Sequence, residues 1–131
     1  MLKKTVCIHQ PDFAPYLGFF QRLLMADLFV ILDDVQFIRR GWQHRDYIKG
    51  KNGPRWLTLS LQKGDFHQRI NQVMLSNDKG WRNSHLNLLK DSYKRSKCFK
   101  TIYPKIEAIY LHPYDSFLNF NIRFFDLVFK Y

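Results

Sequence analysis

Residues 4–32 read KTVCIHQPDFAPYLGFFQRLLMADLFVIL, and their pattern decides the fold. A β-branched apolar run over residues 4–8 stops where His9, Gln10, Pro11 and Asp12 begin. Pro15 follows, and it suits the first position of a helix, where a missing N–H leaves nothing unpaired. Leu17, Phe20, Leu23 and Leu24 then fall on one helical face. Ala26-Asp27 closes that helix, and residues 28–32, LFVIL, form a second apolar run. Two continuously apolar strands joined by a helix make a βαβ unit. Such strands run parallel and are covered on both faces.

Reading outward, DDVQF over residues 33–37 follows the second strand and leads into RRGWQHRDYI over residues 39–48. KGKNGP at residues 49–54 is a turn cluster, so residues 47–61 predict a hairpin. Residues 70–75 predict one more short strand. The chain then turns helical. Asn77 or Asp78 caps a helix to about residue 93, with Trp81, Leu86, Leu89 and Tyr93 on one side. A second helix covers residues 99–111, with Pro104 tolerable only in a first turn. Asp115 or Ser116 caps a third, through residue 129. Phe117, Phe120, Phe124 and Phe125 give this last helix a broad apolar surface, which reads as a site of self-association or a seat for further chain. The expectation is one α/β domain over residues 1–131. It has a βαβ unit with a mostly parallel sheet and a hairpin over 1–76, and three helices over 77–131.

Hydrophobic residues at 46% and aromatics at 17% exclude a disordered chain. No apolar run approaches the roughly 20 residues of a membrane span, and the run before His9 is too short for a secretion signal. A cytoplasmic protein is expected. Cys7 and Cys98 make no disulfide framework. A net charge of +10 over 131 residues suits an anionic partner such as a nucleotide-linked sugar or another phosphate-bearing small molecule, or else serves solubility. Nucleic acid is the weaker reading, because no recognition motif for it occurs.

Ligands of open α/β sheets bind beyond the carboxyl ends of the strands. His9 and Gln10 stand at that end of the first strand; Asp33, Asp34 and Gln36 stand at that end of the second. His9 fits a general base or hydrogen-bond donor, or else a core histidine satisfied by a carbonyl. Asp33 and Asp34 fit a sugar hydroxyl or a divalent cation such as Mg2+, or an ordinary turn. Asp12 reads as an Asx-turn residue. Gly18 allows close packing or close ligand approach, and Tyr16 reads as core or ligand contact. Arg45 can take an anion bidentately and Trp42 can stack on a ring; the alternative is an Arg–Asp surface pair beside a half-buried Trp42. No zinc spacing, P-loop or nucleophile elbow occurs.

Taken together, the stretches IHQP at residues 8–11, PYLGFF at 15–20, ADLFV at 26–30, DDVQF at 33–37, Trp42 with Arg45, and WLT at 56–58 resemble the WbqC-like proteins of bacterial polysaccharide and O-antigen gene clusters. The resemblance covers essentially the whole chain and is densest in the first forty residues. It departs at His44 and Asp46, where the family usually has asparagines, and at Ser60, where it usually has proline. Family members usually continue into a second half. The resemblance implies a transferase-type enzyme of surface-glycan synthesis that modifies a sugar with an acyl or aminoacyl group; it assigns no catalytic residues. The strand, Pro-x-x-Gly, helix, Ala-Asp, strand order is also similar to the start of HIGH-motif nucleotidylyltransferases. Tyr16 and Phe19 stand where their histidines belong, so nucleotidyl transfer is not expected.

Overall fold

The computed structural model describes residues 3–65 and 67–130. Strand β1 (Val6–His9), helix α1 (Leu17–Leu24) and strand β2 (Leu28–Ile31) form the expected βαβ unit. β1 and β2 pair in parallel, with Val6 opposite Leu28 and His9 opposite Ile31. Strands β3 (Arg45–Gly50) and β4 (Gly53–Thr58) form the expected hairpin. It is a separate two-stranded sheet and does not extend the parallel pair. Helices α2 (Gly80–Tyr93), α3 (Phe99–Leu111) and α4 (Phe117–Phe129) complete the chain.

The parallel strands are covered on one face only, a correction to the expectation of burial on both. Val6, Ile8, Leu28 and Val30 are 50%, 60%, 55% and 38% exposed, while their neighbours along each strand are half-buried. Alternation sends every second side chain to the same face, and α1 lies on the other one. There Phe19 and Leu23 pack with Phe29, Ile31 and Phe125. This also corrects the helix face. Leu17 and Leu24, expected to be buried, are 87% and 78% exposed. Two adjacent faces of this short helix are apolar, and the one that buries the larger aromatic area prevails.

Four local expectations change in detail. Pro15 precedes the helix, which begins at Leu17 after an extended Tyr16. Residues 70–75 form a single 3-10 turn, Ile70–Gln72, followed by isolated bridges at Met74 and Leu75. Ile70, Val73 and Leu75 are all buried, and the spacing of three that this requires at first fits a turn, not a strand. Helix α2 begins at Gly80, after the Asp78 carboxylate has accepted the Gly80 N–H at 2.9 Å. Pro104 sits in the sixth position of α3 and removes one interior hydrogen bond. Tyr103, Ile106 and Tyr110 nevertheless hold α3 against the core.

Helix α4 corrects the largest expectation. Ser116 caps it, its Oγ accepting the Asn119 N–H at 3.3 Å. Phe117, Phe120 and Phe125 are buried and Phe124 is half-buried. Phe117, Phe120 and Phe125 are core and offer no surface for self-association, while Phe124 lines an apolar groove. Phe117 and Phe120 close the main cluster with Phe13, Phe37, Leu57 and Tyr110; Phe125 closes the smaller one under α1. One helix thus seals both halves of the interior. Among the described residues, no helix is long and apolar enough to cross a membrane.

Candidate functional site

His9 is the last residue of β1, and its backbone carbonyl accepts the Leu32 N–H at 2.9 Å. Its ring stands edge-on to Phe19, with centroids 4.9 Å apart. Nδ1 lies 2.8 Å from the Gln10 carbonyl oxygen. A carbonyl can only accept, so Nδ1 carries the hydrogen and Nε2 carries the lone pair. That tautomer is the one a general base requires.

The loop after His9 is pinned from below. The buried Asn121 of α4 donates through Nδ2 to the carbonyls of Pro11, at 3.1 Å, and Gln43, at 3.2 Å. The Phe13 N–H also donates to the Gln43 carbonyl, at 3.1 Å. The Gln43 side chain donates to Gln10 Oε1 and accepts the Ile38 N–H at 3.0 Å. Two non-glycine residues with left-handed backbone, Ala14 at φ 43° and Arg40 at φ 69°, flank these two loops. Asn121→Ala would leave the Pro11 carbonyl without a donor and the Gln43 carbonyl with the Phe13 N–H alone. A loss of about 1–3 kcal/mol is expected, read as a lower urea midpoint by circular dichroism.

Asp12 lies within electrostatic reach of both His9 and Asp46. Burial pushes the Asp12 carboxyl above its usual range, with His9 pulling it down, Asp46 pushing it up and Arg22 pulling it down. Burial also raises Asp46, opposed by the Tyr47 N–H that donates to Oδ1 at 2.6 Å. The Asp12 carboxylate makes no hydrogen bond among the described residues, so the expected Asx-turn does not form. Asp12 is thus coupled electrostatically to the His9 imidazole at the end of β1 and to the Asp46 carboxyl on β3.

The other expected site residues are distributed differently. Asp33 and Asp34 follow β2, and the Asp33 carbonyl accepts the Asn71 N–H at 2.9 Å. Their carboxylates form no hydrogen bond or ion pair with His9 among the described residues. No group of three His, Cys, Asp or Glu suited to a metal ion occurs there either, so a cation at this edge would rest on Asp33 and Asp34 alone. Gln36 bridges to Arg69 through the backbone. Tyr16 is exposed and its ring covers Gly18, where any Cβ would collide with it.

Trp42 and Arg45 do not join His9. Alternation along β3 turns Asp46 one way and Arg45 and Tyr47 the other. On that outer face Tyr47 stacks on Trp56 at 3.6 Å, Trp42 lies 5.7 Å from Trp56, and the Arg45 guanidinium covers Trp56 at 4.5 Å. Arg45 also donates to the Arg40 carbonyl at 2.6 Å. Its charge is engaged with a ring and a carbonyl, and the result is an exposed aromatic platform. His44 lies beside Phe37 with Nδ1 buried and without a hydrogen-bond partner among the described residues; burial, then Arg45 and Arg39, push its pKa down.

Reading the sequence assigns Asp12 only an Asx-turn and Asp46 only a surface pairing with Arg45, and it passes over Gln43 and Asn121. Asn121 left a signal: it interrupts the apolar face made by Phe117, Phe120, Phe124 and Phe125, and a polar residue there must satisfy something buried.

The model of the WbqC-like protein family matches residues 10–131. The uncharacterized protein Rv1507c of Mycobacterium tuberculosis (strain ATCC 25618 / H37Rv) is 32% identical over 130 residues, 98% of this chain and 56% of that protein. The chain thus spans about half the length of the curated relative it matches. No solved structure matches.

Proposed function

The chain belongs to the WbqC-like protein family, and from that premise we propose that it acts in bacterial surface-polysaccharide biosynthesis as a transferase of acyl or aminoacyl groups onto a sugar. One observation carries the chemistry: the 2.8 Å bond from His9 Nδ1 to the Gln10 carbonyl, which leaves the Nε2 lone pair available. In this reading Nε2 takes the proton from a sugar amine or hydroxyl as its nitrogen or oxygen attacks the acyl carbonyl. The bond from that carbonyl to its leaving group then breaks, and the imidazolium returns the proton to the departing group. Asp12 stabilises the transient imidazolium. Asp33 and Asp34, after β2, take the hydroxyls of a sugar reaching across the strand ends.

The test is a mass-spectrometric search for acylated sugar after incubation with amino-sugar nucleotides and acyl-coenzyme A donors. His9→Gln should lower the product rate at least tenfold, with the thermal midpoint held within about 2 °C, a fraction of a kcal/mol. An unchanged rate in His9→Gln, or no product from any pair with folded protein, defeats this reading.

A further inference from the structure

The hairpin tip and the last turn of α2 enclose a cleft of about 570 Å3. Lys49, Lys51 and Arg55 line it from the hairpin, and Lys94 and Arg95 from the end of α2. Asp91 is the one carboxylate in its lining among the described residues, and its Oδ1 lies 3.6 Å from Lys94 Nζ, with both groups well exposed. Such a pair neutralises little. Five cations therefore share one concavity with a single weakly held acid, and their mutual repulsion remains until an anion enters.

The cleft is also held in shape. The Lys49 N–H donates to Tyr93 Oη at 3.0 Å, which fixes the hairpin against α2. At Gly50 a Cβ would meet Arg55 Cγ at 2.5 Å and the Gly53 carbonyl at 2.6 Å, and Gly53 itself has φ 120°. The glycine turn thus lets the Arg55 side chain cross back over the hairpin tip. Helix ends attract single cations on account of the macrodipole alone. That explains Lys94 or Arg95, but not the three cations that the hairpin brings opposite them.

We propose that this cleft binds the diphosphate of a phosphate-bearing substrate. Its volume is that of a small-ligand site, and it concentrates more positive charge than one phosphate needs. Arg45, the cation the sequence suggests for this task, is already engaged with Trp56 and the Arg40 carbonyl. A diphosphate can come from a nucleotide or from a prenyl lipid. The second source would find an apolar groove of about 380 Å3 that Tyr93 lines together with Phe20, Leu89, Ile102, Ile106 and Phe124. The inference rests on the transferase reading only for the identity of the substrate; binding at the cleft stands without it.

Calorimetric titration of the full chain with inorganic pyrophosphate, uridine diphosphate and geranyl diphosphate tests this. Pyrophosphate should bind, and the exposed pair Lys94→Gln with Arg95→Gln should weaken it at least tenfold without changing the circular dichroism spectrum. Tighter binding of uridine diphosphate than of pyrophosphate assigns the nucleotide source; tighter binding of geranyl diphosphate assigns the lipid. His9→Gln should bind pyrophosphate like the parent, so failure of the catalytic reading leaves this one measurable. The proposal falls if the folded parent binds none of the three or if the double variant binds equally well. It also falls if a single-stranded oligonucleotide displaces pyrophosphate with the steep salt dependence of backbone contacts.

Discussion

Replacing Phe120 with alanine is expected to lower the unfolding free energy by about 3–5 kcal/mol, the range for a buried phenylalanine whose site cannot collapse. Phe120 has no exposed surface. It packs edge-on to Tyr110 at 5.2 Å and to Trp81 at 6.0 Å, and tilted against Phe124 at 5.4 Å and Phe13 at 6.3 Å. These partners come from α2, α3, α4 and the loop after β1, so no single movement refills the space. Domains of this size hold about 5–15 kcal/mol in all, and the variant should approach its threshold at room temperature. Urea denaturation followed by circular dichroism gives the number. Phe129→Ala on the same helix, where the ring is half-exposed, should change stability by about 0.5 kcal/mol or less. A similar small loss for Phe120→Ala would mean that α4 does not close the core.

Stability is expected to fall as pH drops from 6.5 toward 4. His85 of α2 is buried, with Nδ1 3.0 Å from Tyr110 Oη. Burial lowers its pKa from 6.5 to about 4, against a backbone hydrogen bond with Thr58 that raises it. In the unfolded chain the ring gains a proton below pH 6.5; in the folded chain it gains one only near pH 4. Unfolding therefore takes up a proton throughout that interval, and acid favours it. The contribution is fully present above pH 6.5, and about 3 kcal/mol of it is gone below pH 4. His44, also pushed down, acts in the same direction. Asp12 and Asp46, with raised carboxyls, act in the opposite one and recover part of the loss at the acid end. Urea midpoints at pH 7.5 and 4.5 should show the fall, and His85→Gln should flatten it by retaining an acceptor for Tyr110 without a titrating ring. An unchanged pH slope in the variant would put the acid sensitivity elsewhere.

The βαβ unit and the hairpin were legible because their signals are local: two apolar runs of strand length, a proline-bounded loop, and a lysine- and glycine-rich turn. Coverage was not. Val6, Ile8, Leu28 and Val30 are as apolar as a doubly covered strand requires, and nothing in the pattern says that one face is bare. The phenylalanines of α4 looked surplus for the opposite reason, because the two clusters they close join residues up to about a hundred positions apart. His9 and Gln10 could be placed by topology alone, as residues at a strand's carboxyl end. Asp46 could not: it turns toward Asp12 only because β3 pairs with β4 in one register, and a slip of one residue would present Arg45 there instead.

The bare face of the parallel pair also bears on how His9 is supplied. Four residues of ladder, shielded on one side, open at a lower free energy than a strand enclosed in a core. His9 is the final rung of that ladder, so each opening removes the imidazole from its carbonyl and from Phe19. Apparent affinity for anything His9 holds is then its intrinsic value divided by the fraction of molecules in which the ladder is closed. If His9 holds a ligand as proposed, whatever rests on Val6, Ile8, Leu28 and Val30 raises that fraction and strengthens binding there from the opposite side of the sheet, without touching the ligand.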